Sequence, residues 1–364
     1  MTSKAFGLAQ LGNVYNDGAL SNRNLIINGA MQVAQRGTSV AGKSDALYHT
    51  VDRFVNNTTT GAVWTYTQES DAPSGFSKSF KCEVTTANAS PATSYYSVIQ
   101  HRLEGQNLQS IAKGTSDANP VTVSFWAKSN VTGTYQFNLV DVDNTRLAGN
   151  TYSISSSGVW EYKTITIPAD AVGVLGSGNQ ESLTAEWWLS SGTDWSSGAV
   201  PTTWEASTSN DRNAGSTVNL ADTIGNYFQI TGVQLEVGDT ATPFEHRSYG
   251  QELALCQRYY EVDNPDTPTI FGESIRGVAY HPINGSGGAL NRDGPFQSFK
   301  VNKRASPTLV LYSYAGTAGR VSPITTAGDY AAFQVKNGPT GFQVSSSVYG
   351  EFHVWFAWSA DAEL

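Results

Sequence analysis

The chain has 364 residues and a formal charge of −9, from 22 basic and 31 acidic side chains. That length exceeds what one hydrophobic core fills, so two domains, or one large and one small, are expected. The acidic balance and the lack of any basic run exclude a nucleic-acid partner, and no run of about 18 apolar residues is present that would insert in a membrane.

Hydrophobic residues make up 39% and charged residues only 15%, both below ordinary globular usage, while aromatics reach 11%. Gly, Ser, Thr and Asn replace the missing residues, a mixture suited to strands joined by many turns. Aromatic side chains lie well on pleated sheets, so the fold class read from composition is all-β.

Residues 1–24, beginning MTSKAFGLAQ, carry no charged-then-apolar leader and little periodicity. They read as an extended arm for attachment to a partner, on a protein made in a cytoplasm; a frayed terminus fits the same residues. From Asn24 the pattern turns to short period-2 runs. Strands are expected at LIINGAMQVA, VWTYTQE, SFKCEVT, YYSVIQHRL, VTVSFWAKS, TYQFNLVDV, WEYKTITIPA, SLTAEWWLS and NYFQITGVQLEV. In the best of them Val121, Val123, Phe125 and Ala127 share one face, as do Tyr135, Phe137 and Leu139, and Leu183, Ala185, Trp187 and Leu189. About nine such strands with almost no helical pattern suggest two antiparallel sheets packed face to face.

One segment, SYGQELALCQRYYE, has helical spacing through Leu253, Cys256 and Tyr260, with Ser248 and Gln251 at the separation of a capping box. It reads as a short connector helix. Alternation resumes in SIRGVAYHP, PFQSFKVN, PTLVLYSYA, YAAFQVKN, TGFQVSSS and a last strand with Phe352, Val354, Phe356 and Trp358 on one face. The expected division is an arm at 1–24, a β-sandwich at 25–247, a helical connector at 248–262 and a smaller β domain at 263–364.

Motifs that carry chemistry are scarce. Nucleophile elbows, HExxH, phosphate-cradling Gly loops and paired cysteines with metal spacing are all missing, so the chain reads as no enzyme. Cys82 and Cys256 stand far apart and are expected as small buried hydrophobes. The five histidines, His49, His101, His246, His281 and His353, are scattered and read as surface or turn residues. Glu181 with Glu186, or Asp141 with Asp143, could form a hydrolytic carboxylate pair, but Asp141 and Asp143 flank a turn, DVDNTR, where acids make Asx-turns. The same turn lacks the Gly and closing Glu of a calcium loop.

The tryptophans are the better candidates. Trp126 and Trp188 fall on the polar faces of their strands, where a flat apolar plate beside hydrogen-bonding groups suits a sugar ring; cover by a loop or another subunit is the alternative. Trp195 and Trp204 lie in the loop DWSSGAVPTTWEAS, as binding contacts or as plugs beneath it.

The segments NLIINGAMQVAQRGTS at 24–39, YHTVDRF at 48–54, GVQLEVGDTATPFEHRSYGQELALCQRYYE at 232–261 and the ending SADAEL resemble a group of phage tail-fibre and virion-appendage proteins. The resemblance implies a jelly-roll, galactose-binding-like sandwich similar to carbohydrate-binding modules, with an Asn-Gly turn at Asn28 and Gly29. It also implies a structural calcium, for which the matching places, Gln32 and Thr231–Gly232, offer no acids, so no cofactor is expected. The implied function is a structural virion protein recognising a host-surface glycan, joined to other virion proteins through its arm, and a homotrimer, since linked weak sites gain avidity. A virion-associated glycan depolymerase, or a head fibre or decoration protein without glycan affinity, remain as alternatives.

Overall fold

Period-2 alternation buries one face of a strand and wets the other, and here it builds two sheets that share one core. The computed structural model describes residues 22–263, 292–313, 317–323, 330–346 and 354–364. The chain packs into two compact units: the first takes residues up to Gln32, Thr38–Ser248 and Leu364, and the second Val33–Gly37 and Tyr249–Glu363.

The first unit contains strands β1 (Ser39–Lys43), β2 (Val55–Thr58), β3 (Val63–Glu69), β4 (Ser79–Thr86), β5 (Tyr96–Glu104) and β6 (Val121–Ser129). There follow β7 (Gly133–Asp141), β8 (Arg146–Ile154), β9 (Glu161–Ile167), β10 (Glu181–Ser191), a single turn α1 (Thr193–Ser196), β11 (Glu205–Ala206) and β12 (Tyr227–Val237). Two six-stranded antiparallel sheets result, one ordered β1-β3-β4-β12-β6-β9 and the other β11-β8-β7-β10-β5-β2. This is an all-β jelly-roll sandwich. The residues expected to face inward on β6, β7 and β10 do so: Phe125, Phe137 and Trp187 are fully buried, and the Trp187 ring lies 5.0 Å from Phe137 on its own sheet and 5.9 Å from Phe125 across the core.

The segment LIINGAMQVA is not a strand. Asn28 and Met31 take positive φ, which ends any extended run, and a turn closes with the Met31 N–H donating to the Asn28 carbonyl at 2.8 Å. This segment is instead a strap on the sheet of β12, through Leu25 N to Leu235 O at 2.8 Å and Val233 N to Gly29 O at 2.9 Å. A Cβ at Gly29 would stand 2.1 Å from the Val233 carbonyl oxygen, so only glycine permits the approach. Asn24 is buried and donates from Nδ2 to Val233 O at 3.1 Å, so the expected arm ends short of it; residues 1–21 lie outside the described residues.

One end of the sandwich is locked by a buried cation. Lys113 Nζ reaches Asp141 Oδ2 at 2.5 Å, the Val172 carbonyl at 2.9 Å, the Gly173 carbonyl at 3.0 Å and Asp170 Oδ2 at 3.0 Å. Lys113 and Asp141 are 2% and 0% exposed at their side chains, so each needs the other. The Asn144 N–H donates to Asp141 Oδ1 at 3.0 Å, the Asx-turn expected at DVDNTR.

In the second unit, α2 (Tyr249–Gln257) leads into β13 (Tyr260–Val262), followed by β14 (Arg292–Ser298), β15 (Thr308–Tyr312), β16 (Arg320–Pro323), β17 (Tyr330–Gly338), β18 (Gly341–Ser346), β19 (Val354–Trp355) and β20 (Ala357–Asp361). Sheets β13-β20-β15 and β14-β18-β17-β16-β19 frame a small core with Phe299, Leu311, Phe342 and Trp358. The helix ends at Gln257, so the expected stripe keeps the buried Cys256 but loses Tyr260, which pairs with Asp361 in β13; the helix also buries Glu252 and Gln257. The last strand is broken at Phe356, which with Trp358 is buried as expected, while Phe352 and SIRGVAYHP lie outside the described residues. Residues 33–37 belong to this unit: Gln35 Nε2 donates to Tyr260 O at 2.7 Å, and Arg36 lies 3.5 Å above the Tyr260 ring and pairs with Asp361 at 3.0 Å.

Two expected outcomes follow from the buried cation. Lys113→Met leaves two buried carboxylates without their ammonium and should lower unfolding free energy by about 3–5 kcal/mol in chemical denaturation. At Asp170, burial pushes the carboxyl up, but hydrogen bonds from Arg146 and Lys113 outweigh it and hold the group below its ordinary value. A depressed folded value contributes stability that is present above about pH 4 and lost as pH falls through the folded value. Asp170→Asn should therefore flatten the acid limb of a stability-against-pH curve, and an unchanged acid limb would refute this assignment.

Candidate functional site

The four candidate tryptophans do not form one site. Trp126 lies on β6 in one sheet and Trp188 on β10 in the other, each on the outer face of its sheet. Trp188 is only 1% exposed, because residues 192–218 fold back over that face. Arg212 from this loop pairs with Glu186 and stands 5.7 Å from the Trp188 ring centroid, while Gln136 and Asn138 of β7 donate to the Asp211 and Arg212 carbonyls at 2.8 and 2.7 Å. Trp188 Nε1 donates to Glu186 Oε2 at 3.1 Å. The ring is thus a packing element, and the expectation of an open polar face around it is corrected.

The loop tryptophans are engaged in the same way. Trp195 packs on Tyr96 at 4.9 Å and on Trp188 at 5.6 Å, with Nε1 donating to Ser94 O at 3.1 Å. Trp204 covers the Lys113 cage, its ring 4.7 Å from Nζ and its Nε1 donating to Pro168 O at 2.9 Å. Both are half-buried plugs that hold the loop to the sandwich.

Trp126 differs. It is half-buried and pairs across the strands with Tyr162 of β9, the ring centroids 5.3 Å apart and the planes tilted by 50°. Direct cross-strand neighbours of this kind support each other on a sheet face. Tyr162 is 46% exposed, and neither the Trp126 indole N–H nor the Tyr162 hydroxyl has a hydrogen-bond partner among the described residues. The pair therefore presents two tilted apolar plates with unspent polar ends. Thr231 of β12 lies opposite Trp126 on the other side, and a bulge follows it at Gly232 and Val233 before Gln234 meets Ser124. At one end of the patch Asp71 accepts from Lys128 Nζ at 2.6 Å and from Trp160 Nε1 at 3.3 Å. Sequence reasoning placed a strand through Tyr162 but missed its role, since only the register of β6 on β9 sets it beside Trp126.

The candidate carboxylate pairs are separately engaged. Glu181 lies 3.9 Å from Arg102, Glu186 holds Arg212, Asp141 holds Lys113, and Asp143 accepts from the Gly176 N–H at 2.7 Å. His101 corrects the reading of scattered surface histidines: it is 1% exposed, edge-on to Phe54 at 5.0 Å, and burial pushes its pKa well down. Cys82 and Cys256 are both fully buried. The calcium implied by the resemblance does not fit the places named for it: Thr231 Oγ1 donates to Lys78 O at 2.7 Å, and Gly232 packs under Phe76 with φ +61°. Among the described residues no group of three His, Cys, Asp or Glu side chains is placed to hold a metal.

No protein-family model matches the chain, and no curated protein sequence matches it. Among solved structures, the enzymatically active domain of tailspike protein 4 of bacteriophage CBA120 is 13% identical at a TM-score of 0.32, covering 59% of this chain and 21% of that one. A xylan-binding domain of carbohydrate-binding module family 22 is 13% identical at a TM-score of 0.29, covering 55% and 96%. The family 11 carbohydrate-binding module from Clostridium thermocellum, in complex with a β-1,3-1,4-mixed-linked tetrasaccharide, is 13% identical at a TM-score of 0.27, covering 56% and 98%.

Proposed function

We propose that the chain is a structural, non-enzymatic appendage protein of a bacterial-virus particle, and that its first unit binds a host-surface glycan on the sheet face carrying Trp126 and Tyr162. The observation that carries the binding site is the contrast among its aromatic side chains. Trp188, Trp195 and Trp204 donate their N–H groups within the chain, whereas the half-buried Trp126 and the 46% exposed Tyr162 keep their N–H and O–H groups unspent among the described residues. Sugar rings offer apolar C–H faces with hydroxyls at their edges, which two such plates with free polar ends match. The virion role rests on the tail-fibre resemblance of residues 24–39, 48–54 and 232–261. Residues 1–21 are the proposed attachment arm, and the working assembly is a homotrimer, because single stacking sites are weak and linked copies gain avidity.

The deciding experiment incubates the protein with bacterial envelope polysaccharides and measures both retention and new reducing ends. Retention without new ends is expected; new ends would move the chain to the depolymerases, and neither would leave a fibre without glycan affinity. Each ring is worth about 1 kcal/mol, so Trp126→Ala and Tyr162→Ala should each weaken retention roughly five- to tenfold with little change in the thermal transition. Trp188→Ala should instead cost about 3–5 kcal/mol of stability, as the loss of a buried ring does. Light scattering should report a trimer at micromolar concentration, and a stable monomer would overturn the assembly.

A further inference from the structure

The open sheet face carries positive side chains, yet its strand cations are cancelled. Lys81 on β4 is ion-paired with Glu83, two residues along the same strand. Lys128 lies two residues from Trp126 on the same side of β6, where a free ammonium would attract any anionic group on a sugar stacked against the rings. Instead its Nζ is held 2.6 Å from Asp71 Oδ2, and it stands 5.9 Å from the Trp160 ring. Asp71 comes from the loop before β4 and accepts from Trp160 through its other oxygen. Two donors from two different segments fix the carboxylate, so this pair is more ordered than an isolated surface ion pair. The hydrogen bond from Lys128 is the main cause that holds the Asp71 carboxyl below its ordinary value, so it stays ionised at neutral pH.

A polyanion approaching this face would find no uncancelled strand cation. It would meet the outward part of the Asp71 carboxylate, 47% exposed, and the field of a chain carrying −9 overall. A neutral chain of sugars would find the two rings, the exposed Thr164 of β9 and the Thr122–Thr166 hydroxyl pair at 3.0 Å. We propose that Asp71 is a specificity-determining residue which masks Lys128, so that the Trp126–Tyr162 face takes neutral glycans and turns away acidic ones; this deepens the glycan-binding reading above and rests on it.

The test is affinity electrophoresis through gels containing a neutral polymer (a mixed-linkage β-glucan, a galactan or a mannan) or an acidic one (a polyuronate or a polysialic acid), at low and physiological salt. The variants are Asp71→Asn, Asp71→Asn with Lys128→Gln, and Trp126→Ala with Tyr162→Ala. The native chain should be retarded by a neutral polymer and by no acidic one. Asp71→Asn should gain at least roughly threefold in retardation by an acidic polymer, lost again at higher salt and abolished by adding Lys128→Gln. Lys78, just ahead of β4, has no ion-pair partner among the described residues, and Lys78→Ala is the control that separates its field from that of Lys128. Retardation of the native chain by an acidic polymer, sensitive to the aromatic double variant, would overturn the charge rule and leave glycan binding standing. Asp71→Asn that folds normally but gains nothing would remove Asp71 from the specificity. No retardation on any polymer would overturn the glycan-binding reading and this inference with it.

Discussion

The structure of the first unit depends on one close backbone approach. At the bulge of β12 the chain brings Val233 against Gly29, with the Val233 N–H donating to the Gly29 carbonyl and the Val233 carbonyl occupying the space that a side chain at 29 would need. Around that point Asn24 accepts from the Leu235 N–H at 3.1 Å, and Arg247 donates to the Ile26 carbonyl at 3.0 Å. The strap thereby satisfies β12 backbone groups that a bulge would otherwise leave buried and unpaired. β12 is also the strand between β4 and β6, so its register decides what stands beside Trp126. A one-residue slip there would turn Thr231 inward and rebuild the open face.

The two segments that meet at this joint lie far apart in the chain, at 24–39 and 232–261. Their residue choices have a physical reading: Asn28 for a left-handed turn, Gly29 for the approach, and Arg36 for stacking on Tyr260 and pairing with Asp361. The stretch 24–39 serves both units, its first part bonded within the sandwich and residues 33–37 within the second unit. Such paired roles tie distant stretches of sequence together without any shared chemistry.

Strand identity was legible wherever alternation was clean, as in β6, β7, β10 and β12, because inward and outward residues there obey one local rule. It failed for β8, where Gly149 and Asn150 interrupt the pattern; Gly149 is needed because a Cβ would stand 2.4 Å from the Phe137 carbonyl oxygen of β7. It failed for the strap, where an apolar run is buried without being extended. Among the candidate tryptophans, alternation placed Trp188 correctly on the outer face. It could not say that the loop after β10 folds back to cover that face, since the cover is built by nonlocal bonds such as Arg212 to Glu186. Tyr162 stayed hidden for the complementary reason: its importance lies in a register between strands that a single sequence does not specify.

The Lys113 cage has the ligand pattern of a cation site, with carboxylates from Asp141 and Asp170 and carbonyls from Val172 and Gly173 around one positive centre. The positive centre is a side chain, so it is delivered in fixed stoichiometry with the fold and cannot diffuse away on dilution. Chelators and competing ions have nothing to extract, and Trp204 roofs the ammonium against water. This end of the sandwich should keep its shape as the surrounding ionic composition changes, which an exchangeable ion at the same place would not allow.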